Sequence, residues 1–268
     1  AELERDGAEV TVAACDVAVL ESVRALMGLV GAHTPLSGVV HTAGVLEDGV
    51  VTSQDTERLT RVLRPKVDGA WNLHLVTEGS DLDFFVLYSS LAGLMGNVGQ
   101  SNYAAANTFM AALAQSRWRE GQPALSMLWG PWADGGMAAS LSDADTARMR
   151  RQGIELLSEE RGMDLLGRAM KADSPISVAA AFDPTTYQRA VSEDGRAVAP
   201  LFRELVSRGQ GPRVEGQSLR ERLDALPTAA REHALLDWVC DEVARVLGLS
   251  SGGAVSPTLS LKDMGVDS

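Results

Sequence analysis

One continuous stretch, from Asp83 to Leu113, constrains the fold of this chain more than any other part of its sequence. It opens with the apolar, β-favouring residues 84–88, which predict a short buried strand. Ser89 and Ser90 stand where that strand is expected to end. A loop follows, with glycine at every third position from 93 to 99. Polar side chains are therefore expected at the carboxyl end of a strand, where α/β sheets place their ligands.

The residues after this loop predict a helix that carries a second polar group to the same place. Ser101 or Asn102 is expected to cap the helix. Tyr103, Asn107 and Met110 then share one helix face. A tyrosine on a helix is usually a packing residue, and a serine pair after a strand is usually turn chemistry. Their combination outlines an active site at the edge of a parallel sheet.

The spacing of four polar residues identifies a family. Ser90 precedes Tyr103 by thirteen positions, Asn107 follows the tyrosine by four, and Lys66 lies thirty-seven before it. This set resembles the ketoreductase domain of modular type I polyketide synthases, within the short-chain dehydrogenase/reductase superfamily. Most of that superfamily has the lysine four positions after the tyrosine; here Asn107 takes that place, as in the polyketide ketoreductases. The resemblance covers residues 1 to about 205.

The resemblance implies a fold and a reaction. The fold is α/β, a doubly wound parallel sheet. The reaction is reduction by NADPH of a carrier-bound β-ketoacyl thioester to a D-β-hydroxyacyl thioester. Tyr103 would donate a proton, Ser90 would hydrogen-bond the developing oxyanion, and Asn107 would hold Lys66 and a water. Lys66 is expected to lower the pKa of the tyrosine, because a nearby ammonium stabilises tyrosinate.

Residues that would bind the cofactor are also placed by the resemblance. Residues 9–15 predict a strand that Asp16 and Val17 close, and the family puts this pair beside the adenine ring. The alternative is that Asp16 caps the next helix. Small residues after the predicted strand 36–41 would let the backbone approach the dinucleotide. The full cofactor set is Asp16, Val17, Thr42, Ala43, Gly44, Lys66, Tyr103 and Pro131.

Three positions bear on stereochemistry by the same resemblance. Leu46-Glu47-Asp48 matches a B-type motif at its third residue, although Glu47 departs from the commoner aspartate. Gln100 stands where A-type enzymes carry tryptophan, and Ala105 stands where B2 enzymes carry proline. The pattern is that of the B1 type; the alternative is an ordinary polar loop at 46–48. The residues expected to contact substrate or control its orientation are Asp48, Leu94, Gln100, Trp132 and Met137.

The remaining elements follow from local patterns. A helix is predicted over residues 53–77, broken or kinked near Pro65. Residues 122–129 and 176–182 predict strands, and residues 158–171 predict a helix. In the family the loop after residue 129 borders the nicotinamide, and residues 135–153 form a mobile lid over the substrate. His41 resembles a structural residue of the family and is not expected to act as a base.

A second, smaller domain is predicted at the carboxyl end. Glycine and proline mark residues 206–228 as a linker. Residues 229–247 predict an amphipathic helix, and a loop leads to Asp267-Ser268. This order resembles the first part of an acyl carrier protein, an all-α domain over residues 229–268. Ser268 would then carry 4'-phosphopantetheine.

The glycine-rich phosphate loop of the fold has no match in the sequence. No G-x-G-x-x-G follows a predicted strand. The first two strands of the domain are therefore expected upstream of residue 1, together with the residues that distinguish NADP from NAD. The strand over 9–15 would have an unpaired edge. We expect residues 1–268 alone to fold incompletely and to bind the cofactor poorly.

Composition narrows the classes of function. The net charge of −12 and the pI of about 4.8 give no basic patch for nucleic acid. Cys15 and Cys240 are expected to be reduced thiols of a cytoplasmic protein, and no metal site or membrane segment is predicted. Other domains of the same synthase are the expected partners. The alternatives are a ketoreductase of a fatty acid synthase and a catalytically silent scaffold domain.

Overall fold

The computed structural model describes residues 2–30, 35–133, 143–195, 197–207, 219–224 and 226–247. The chain divides into two compact units. The first consists of Ala1–Trp129 and Met163–Ala179. The second consists of Gly130–Gly162 and Ala180–Ser268. Each is described below by itself.

The described elements are numbered in chain order. The strands are β1 (Gly38–His41), β2 (Phe84–Ser90), β3 (Leu125–Trp129), β4 (Ile154–Glu155), β5 (Ile176–Ala179) and β6 (Ala181–Phe182). The helices are α1 (Glu2–Arg5), α2 (Leu20–Met27), α3 (Thr56–Val76), α4 (Ala92–Met95), α5 (Ser101–Arg119), α6 (Asp143–Arg151), α7 (Glu159–Ala169), α8 (Pro184–Glu193), α9 (Arg203–Ser207), α10 (Leu219–Asp224) and α11 (Thr228–Leu247). Short 3-10 helices cover Val51–Ser53 and Pro200–Phe202.

The first unit is built on a four-stranded sheet in the order β1-β2-β3-β5, with every pair parallel. In β2, Phe85, Val86 and Leu87 are buried, as the apolar run predicts for a central strand. Helices α3 and α5 pack together, and apolar side chains from both join the sheet's core. The predicted α/β fold with a parallel sheet is therefore confirmed.

Because the strands are parallel, their carboxyl ends lie at one edge of the sheet. His41 pairs with Leu87, and Ser90 pairs with Trp129, so β2 extends past the end of β1. The segments that follow β1, β2 and β3 leave from this edge. It is the edge where the sequence predicted the site.

The predicted break in the long helix near Pro65 is wrong. Helix α3 runs without interruption from Thr56 to Val76 with Pro65 inside it. Asp55 caps its start by accepting the Arg58 N–H at 2.8 Å. Proline removes one intrahelical hydrogen bond, but the packing of buried Val62 and Ala70 keeps the helix in place.

The predicted strand over residues 9–15 is also wrong. The structure assigns no strand there, and Val12 is 93% exposed. A strand needs a neighbour to receive its backbone hydrogen bonds, and among the described residues β1 pairs only with β2. Asp16 does not cap α2, whose N-cap is Val19; its carboxylate accepts the Ala18 N–H at 3.0 Å.

The last predicted strand, 176–182, is divided between two sheets. Strand β5 completes the parallel sheet of the first unit. Strand β6 belongs to the second unit, where it pairs antiparallel with β4. A continuous apolar run predicted a single strand, because periodicity does not reveal a change of pairing partner.

The second unit joins short helices to the β4–β6 ribbon. Phe182, Tyr187 and Phe202 form an aromatic cluster with ring centroids 4.8 to 5.6 Å apart. The amphipathic helix predicted over 229–247 is confirmed as α11. Most of the predicted linker, and Ser268, lie outside the described residues. In the part of the chain that is described, no helix combines the length and apolar character needed to cross a bilayer.

Candidate active site

The candidate site centres on Tyr103, in the first turn of α5. Its side chain is only 8% exposed. The predicted capping by Ser101 or Asn102 is wrong: the N-cap is Gln100, which makes no side-chain cap hydrogen bond. Asn102 instead accepts the Tyr103 N–H through its Oδ1 at 2.7 Å. The side-chain amides of Gln100 and Asn102 donate hydrogen bonds to the loop that contains Glu47 and Asp48.

The serine pair at the end of β2 separates into two roles. Neighbouring strand residues point to opposite faces. Ser89 is buried and donates to the backbone carbonyl of Asn107 at 3.1 Å. Ser90 is half-buried, accepts the Ala92 N–H at 3.2 Å, and hydrogen-bonds the Tyr103 phenol. Of the two, Ser90 is the one that reaches the tyrosine.

The electrostatic environment of Tyr103 differs from the expectation. Burial raises the pKa of the phenol above its usual value, and the charge of Asp48 acts in the same direction. Hydrogen bonds from Ser90 and Asn107 oppose this by lowering the pKa. The expected lowering of the pKa by Lys66 is not what this arrangement gives. The tyrosine is held protonated, the form that donates a proton.

Lys66 lies beneath this tyrosine and is 2% exposed. Its Nζ donates to the backbone carbonyl of Tyr88 at 3.0 Å and lies 5.5 Å from the centroid of the Tyr103 ring. Burial lowers the pKa of this ammonium to about 8. A lysine with its pKa near neutrality exchanges protons readily, and it is close enough to influence the phenol.

Asn107 completes the polar cluster and is fully buried. Its Nδ2 donates to the backbone carbonyl of Tyr103 at 2.7 Å, one turn earlier in α5. Its Oδ1 is a buried acceptor with no hydrogen-bond partner among the described residues. Buried polar atoms usually have a hydrogen-bond partner. This oxygen is therefore suited to accept a hydrogen bond from a bound water or to contact a bound cation.

The glycine-rich loop brings α4 against α5, the helix that carries Tyr103. A Cβ on Gly93 would lie 3.0 Å from the Asn107 Cβ and 3.1 Å from the Thr108 nitrogen. Thr108 donates its hydroxyl to the Gly93 carbonyl at 2.9 Å. Any larger residue at position 93 would require α5 to shift by a few tenths of an ångström. Leu94 in α4 is 44% exposed, which leaves it accessible for a contact with substrate.

The segments expected to bind the adenine end of the cofactor lie against α3. Asn72 donates its Nδ2 to the Val17 carbonyl at 3.0 Å. Arg64 forms an exposed ion pair with Asp16 at 3.4 Å. Thr42, Ala43 and Gly44 directly follow β1 at the carboxyl edge of the sheet. Their contact with a dinucleotide stays a prediction.

His41, at the end of β1, is buried within this unit. Its Nε2 is 2.9 Å from the Pro65 carbonyl. Burial, and then the charge of Lys66, lower its pKa to about 4. The imidazole is therefore neutral at pH 7 and must donate through Nε2, which gives it a structural role. That His41 does not act as a catalytic base stays a prediction.

Four of the other predicted residues lie outside the first unit. Pro131 and Trp132 belong to the second unit, where Trp132 forms a bridge with Leu157. Met137 and Ser268 lie outside the described residues. The cluster itself unites Tyr103, Ser90, Lys66 and Asn107.

The sequence does not reveal the polar side chains that support this cluster. Its patterns predict Asn102 only as a helix cap and give no signal for Arg58, Arg61 or Asn72. Arginines on an amphipathic helix look like ordinary solvated residues. Only the three-dimensional proximity of the 46–49 loop reveals their partners.

Comparison with known proteins agrees with this geometry. The profile of the KR domain family matches residues 1–134, half of the chain. Polyketide synthase GfsE of Streptomyces halstedii is 44% identical over 273 residues, which cover 100% of this chain and 7% of that protein. Mycoketide-CoA synthase of Mycobacterium tuberculosis is 40% identical over 277 residues, again covering 100% of this chain and 7% of that protein. The chain thus spans a small part of these relatives.

Solved structures with the same fold include ketoreductases of more than one type. An A-type ketoreductase from a modular polyketide synthase aligns with a TM-score of 0.70 at 33% identity, over 78% of this chain and 44% of that one. The first ketoreductase of the tylosin synthase aligns with a TM-score of 0.67 at 34% identity, over 78% of this chain and 45% of that one. Both similarities support the Rossmann-like assignment of the first unit.

Proposed function

Because this chain belongs to the KR domain family, the ketoreductase domains of modular polyketide synthases, we propose that it reduces a β-ketoacyl thioester with NADPH. The observation that carries the proposal is the cluster at the carboxyl edge of the sheet. A buried tyrosine there is hydrogen-bonded by Ser90, with the ammonium of Lys66 5.5 Å from its ring centroid. A proton donor, an oxyanion partner and a cation are thus assembled at one place.

The residues present fit a bound nicotinamide nucleotide. The segment 42–44 follows β1 at the same edge as Ser90, and the Val17 backbone is fixed by Asn72. The unpaired Oδ1 of Asn107 is a buried acceptor aimed at no described partner. Asp16, Val17, Thr42, Ala43, Gly44, Lys66, Tyr103 and Pro131 are proposed to hold the cofactor. When bound, NADPH would supply the hydride.

The residues of the chain would handle the developing charge. As the β-carbon gains a hydride, the two π electrons of the carbonyl move to its oxygen. Ser90 donates a hydrogen bond to that oxygen, and Tyr103 transfers its phenolic proton to complete the hydroxyl. Loss of one oxyanion donor of this kind costs about 10²–10³ in rate. The ammonium of Lys66 then stabilises the tyrosinate until a proton is returned through the water proposed at Asn107.

We also propose the B1 type, and therefore a D-configured hydroxyl. Asp48, Gln100 and Ala105 support it, since each matches the B1 pattern by resemblance. In the structure Asp48 accepts a hydrogen bond from Gln100 at 2.8 Å, so two of the three markers are in contact. Leu94, Trp132 and Met137 are proposed to contact the substrate.

The substrate is proposed to arrive on a carrier domain. Tethering raises its effective concentration at the site, which reduces the need for a tight acyl pocket. The proposed domains are the ketoreductase over residues 1–205, a linker over 206–228 and the first part of an acyl carrier over 229–268. Ser268 would bear 4'-phosphopantetheine, and other synthase domains would be partners.

The experiment is NADPH oxidation with a β-ketoacyl thioester, using the full polypeptide that carries this sequence. Tyr103→Phe is the test variant, and Tyr187→Phe, in the second unit, is the matched control. We expect turnover to fall about 10²–10⁴-fold in the first variant, since a general acid contributes that much, and to persist in the second. Chiral chromatography should give the D product. A folded, NADPH-binding parent without turnover would favour a silent scaffold domain instead.

A further inference from the structure

We propose that Asn102 is a positioning residue that couples the 46–49 loop to the catalytic helix, so that the loop and Tyr103 move together. The inference rests on the proposed function, because it concerns how that site presents a substrate. It adds a residue to the site that was expected only to cap a helix.

Both polar atoms of the Asn102 side chain form hydrogen bonds. The residue is 2% exposed. Its Nδ2 donates to the backbone carbonyl of Glu47 at 2.9 Å, and its Oδ1 accepts the backbone N–H of Tyr103 at 2.7 Å. One planar carboxamide therefore joins the loop to the residue that would donate the proton. Either group left without a partner would be a buried, unsatisfied polar atom.

Two further hydrogen bonds join the same loop to the residues just before Tyr103. The Gly49 N–H donates to the Gly99 carbonyl at 2.8 Å, and Gln100 donates its Nε2 to the Asp48 carboxylate at 2.8 Å. Gly99 has a φ of +74°, a conformation that glycine adopts without strain. Gln100 is itself fixed, because its Oε1 accepts from Asn97 at 2.9 Å. Three consecutive loop residues are thus tied to the turn before Tyr103.

The other side of the loop is tied to the helix that carries Lys66. The Glu47 carboxylate lies 3.2 Å from the Arg58 guanidinium and 3.1 Å from that of Arg61, both on α3. Glutamate replaces the commoner aspartate at this position, and its longer side chain reaches both arginines. The loop is consequently held between α3 and α5, the two helices that supply Lys66 and Tyr103.

This arrangement has a consequence for stereochemistry. The face of a β-carbonyl that meets the hydride depends on how the substrate lies between the entrance loop and the tyrosine hydroxyl. A loop that is held at a fixed distance from Tyr103 admits one orientation of the substrate. A loop released from α5 admits both, so the product would become a mixture while the catalytic groups remain in place.

The test compares Asn102→Asp with Asn102→Ala in the full polypeptide. The aspartate keeps the acceptor for the Tyr103 N–H but loses the donor to Glu47, so it isolates the loop contact. Thr108→Val is the control, since Thr108 lies on the same helix and bonds the Gly93 and Ala104 carbonyls, away from the loop. The readouts are the D:L product ratio, kcat and KM separately, and hydrogen exchange of the Gly49 amide.

We expect Asn102→Asp to lower the D:L ratio and to speed Gly49 exchange about tenfold, the factor that a net hydrogen bond represents. KM should rise more than kcat falls, and Asn102→Ala should show the same changes. Unchanged Gly49 exchange and an unchanged product ratio in folded Asn102→Asp would overturn the inference. The exchange measurement needs no turnover, so it decides the coupling even if the parent enzyme proves inactive and the proposed function fails.

Discussion

Among its described residues, the first unit buries two cations, Lys66 and Arg117, and they differ in their contacts. Lys66 is 2% exposed and Arg117 is 1% exposed. Lys66 makes one hydrogen bond among the described residues, to the Tyr88 carbonyl. Arg117 donates its Nε to the Pro123 carbonyl at 3.2 Å, and a second nitrogen lies 2.9 Å from His74 Nδ1. Its guanidinium also stacks 4.0 Å above the Phe85 ring.

The difference distinguishes the cation that is proposed to act in the reaction from one that serves the fold. A guanidinium stays charged when buried, and its five donors suit fixed neighbours. An ammonium yields to burial, and the pKa of Lys66 falls to about 8. Lys66 keeps donors unused, and its Nζ lies 5.5 Å from the centroid of the Tyr103 ring. A buried ammonium with spare donors beside a tyrosine is suited to chemistry. A buried guanidinium that bonds Pro123 and His74 and stacks on Phe85 serves the fold.

The largest effect is expected when Lys66, the less completely contacted cation, is replaced. Lys66→Met should reduce turnover about 10²–10⁴-fold, because the tyrosinate loses its stabilising charge. Stability should not fall at pH 7. The native pKa of Lys66 is below its ordinary value, so below pH 8 the folded state bears the cost of a buried ammonium, and methionine removes it. Steady-state NADPH oxidation and urea denaturation measure the two quantities; a destabilised variant would contradict this.

A smaller effect, on stability, is expected on the Arg117 side. Arg117→Met should lower the free energy of unfolding by about 1–3 kcal/mol, because it leaves partly buried acceptors on Pro123 and His74 unpaired. It also removes the stacking on Phe85. Urea denaturation measures the loss. Arg119→Met, at the end of the same helix, is the control; equal losses in both variants would show that the buried pairing contributes nothing.

At pH 7 the smallest effect is expected from the histidine beside each cation. Lys66 lowers the pKa of His41, and Arg117 lowers that of His74, each after burial. For His41 the native pKa is about 4 against 6.5 unfolded. The unfolded state binds more protons between these values, so stability should fall as pH drops from 6.5 toward 4.

His41→Asn keeps a donor for the Pro65 carbonyl and does not titrate, so it should flatten this part of the pH–stability curve. His233→Asn, at a side chain that is 81% exposed on α11, is the control. Denaturation midpoints at a series of pH values from 4 to 7 make the comparison. A slope that His41→Asn leaves intact would show that His41 is protonated in the folded state.

The sequence predicted the local elements of the site well and its supporting contacts poorly. The apolar run 84–88, the serine pair and the helix face of Tyr103 follow short-range rules, and the structure reproduces them. The strand at 9–15 and the undivided strand at 176–182 were wrong because pairing partners are set by tertiary structure. The same holds for Asn102, whose role depends on Glu47, fifty-five residues away.

The hydrogen bonds of Arg117 could not be predicted from the sequence for a similar reason. In sequence it is one of two arginines near the end of a helix, where solvated cations are common. Its burial results from the packing of α5 on β2, which places Phe85 beneath it. The raised pKa of Tyr103 likewise depends on burial, a quantity that a motif does not carry.

The most direct test of the account is the ratio of kcat/KM, per folded molecule, between Lys66→Met and Arg117→Met in the full polypeptide. Both variants remove a buried cation and replace it with the same side chain. If Lys66 serves the chemistry and Arg117 serves the fold, the ratio should be at or below about 0.01. A ratio near one would contradict the account, because it would mean that the charge of Lys66 does not assist Tyr103.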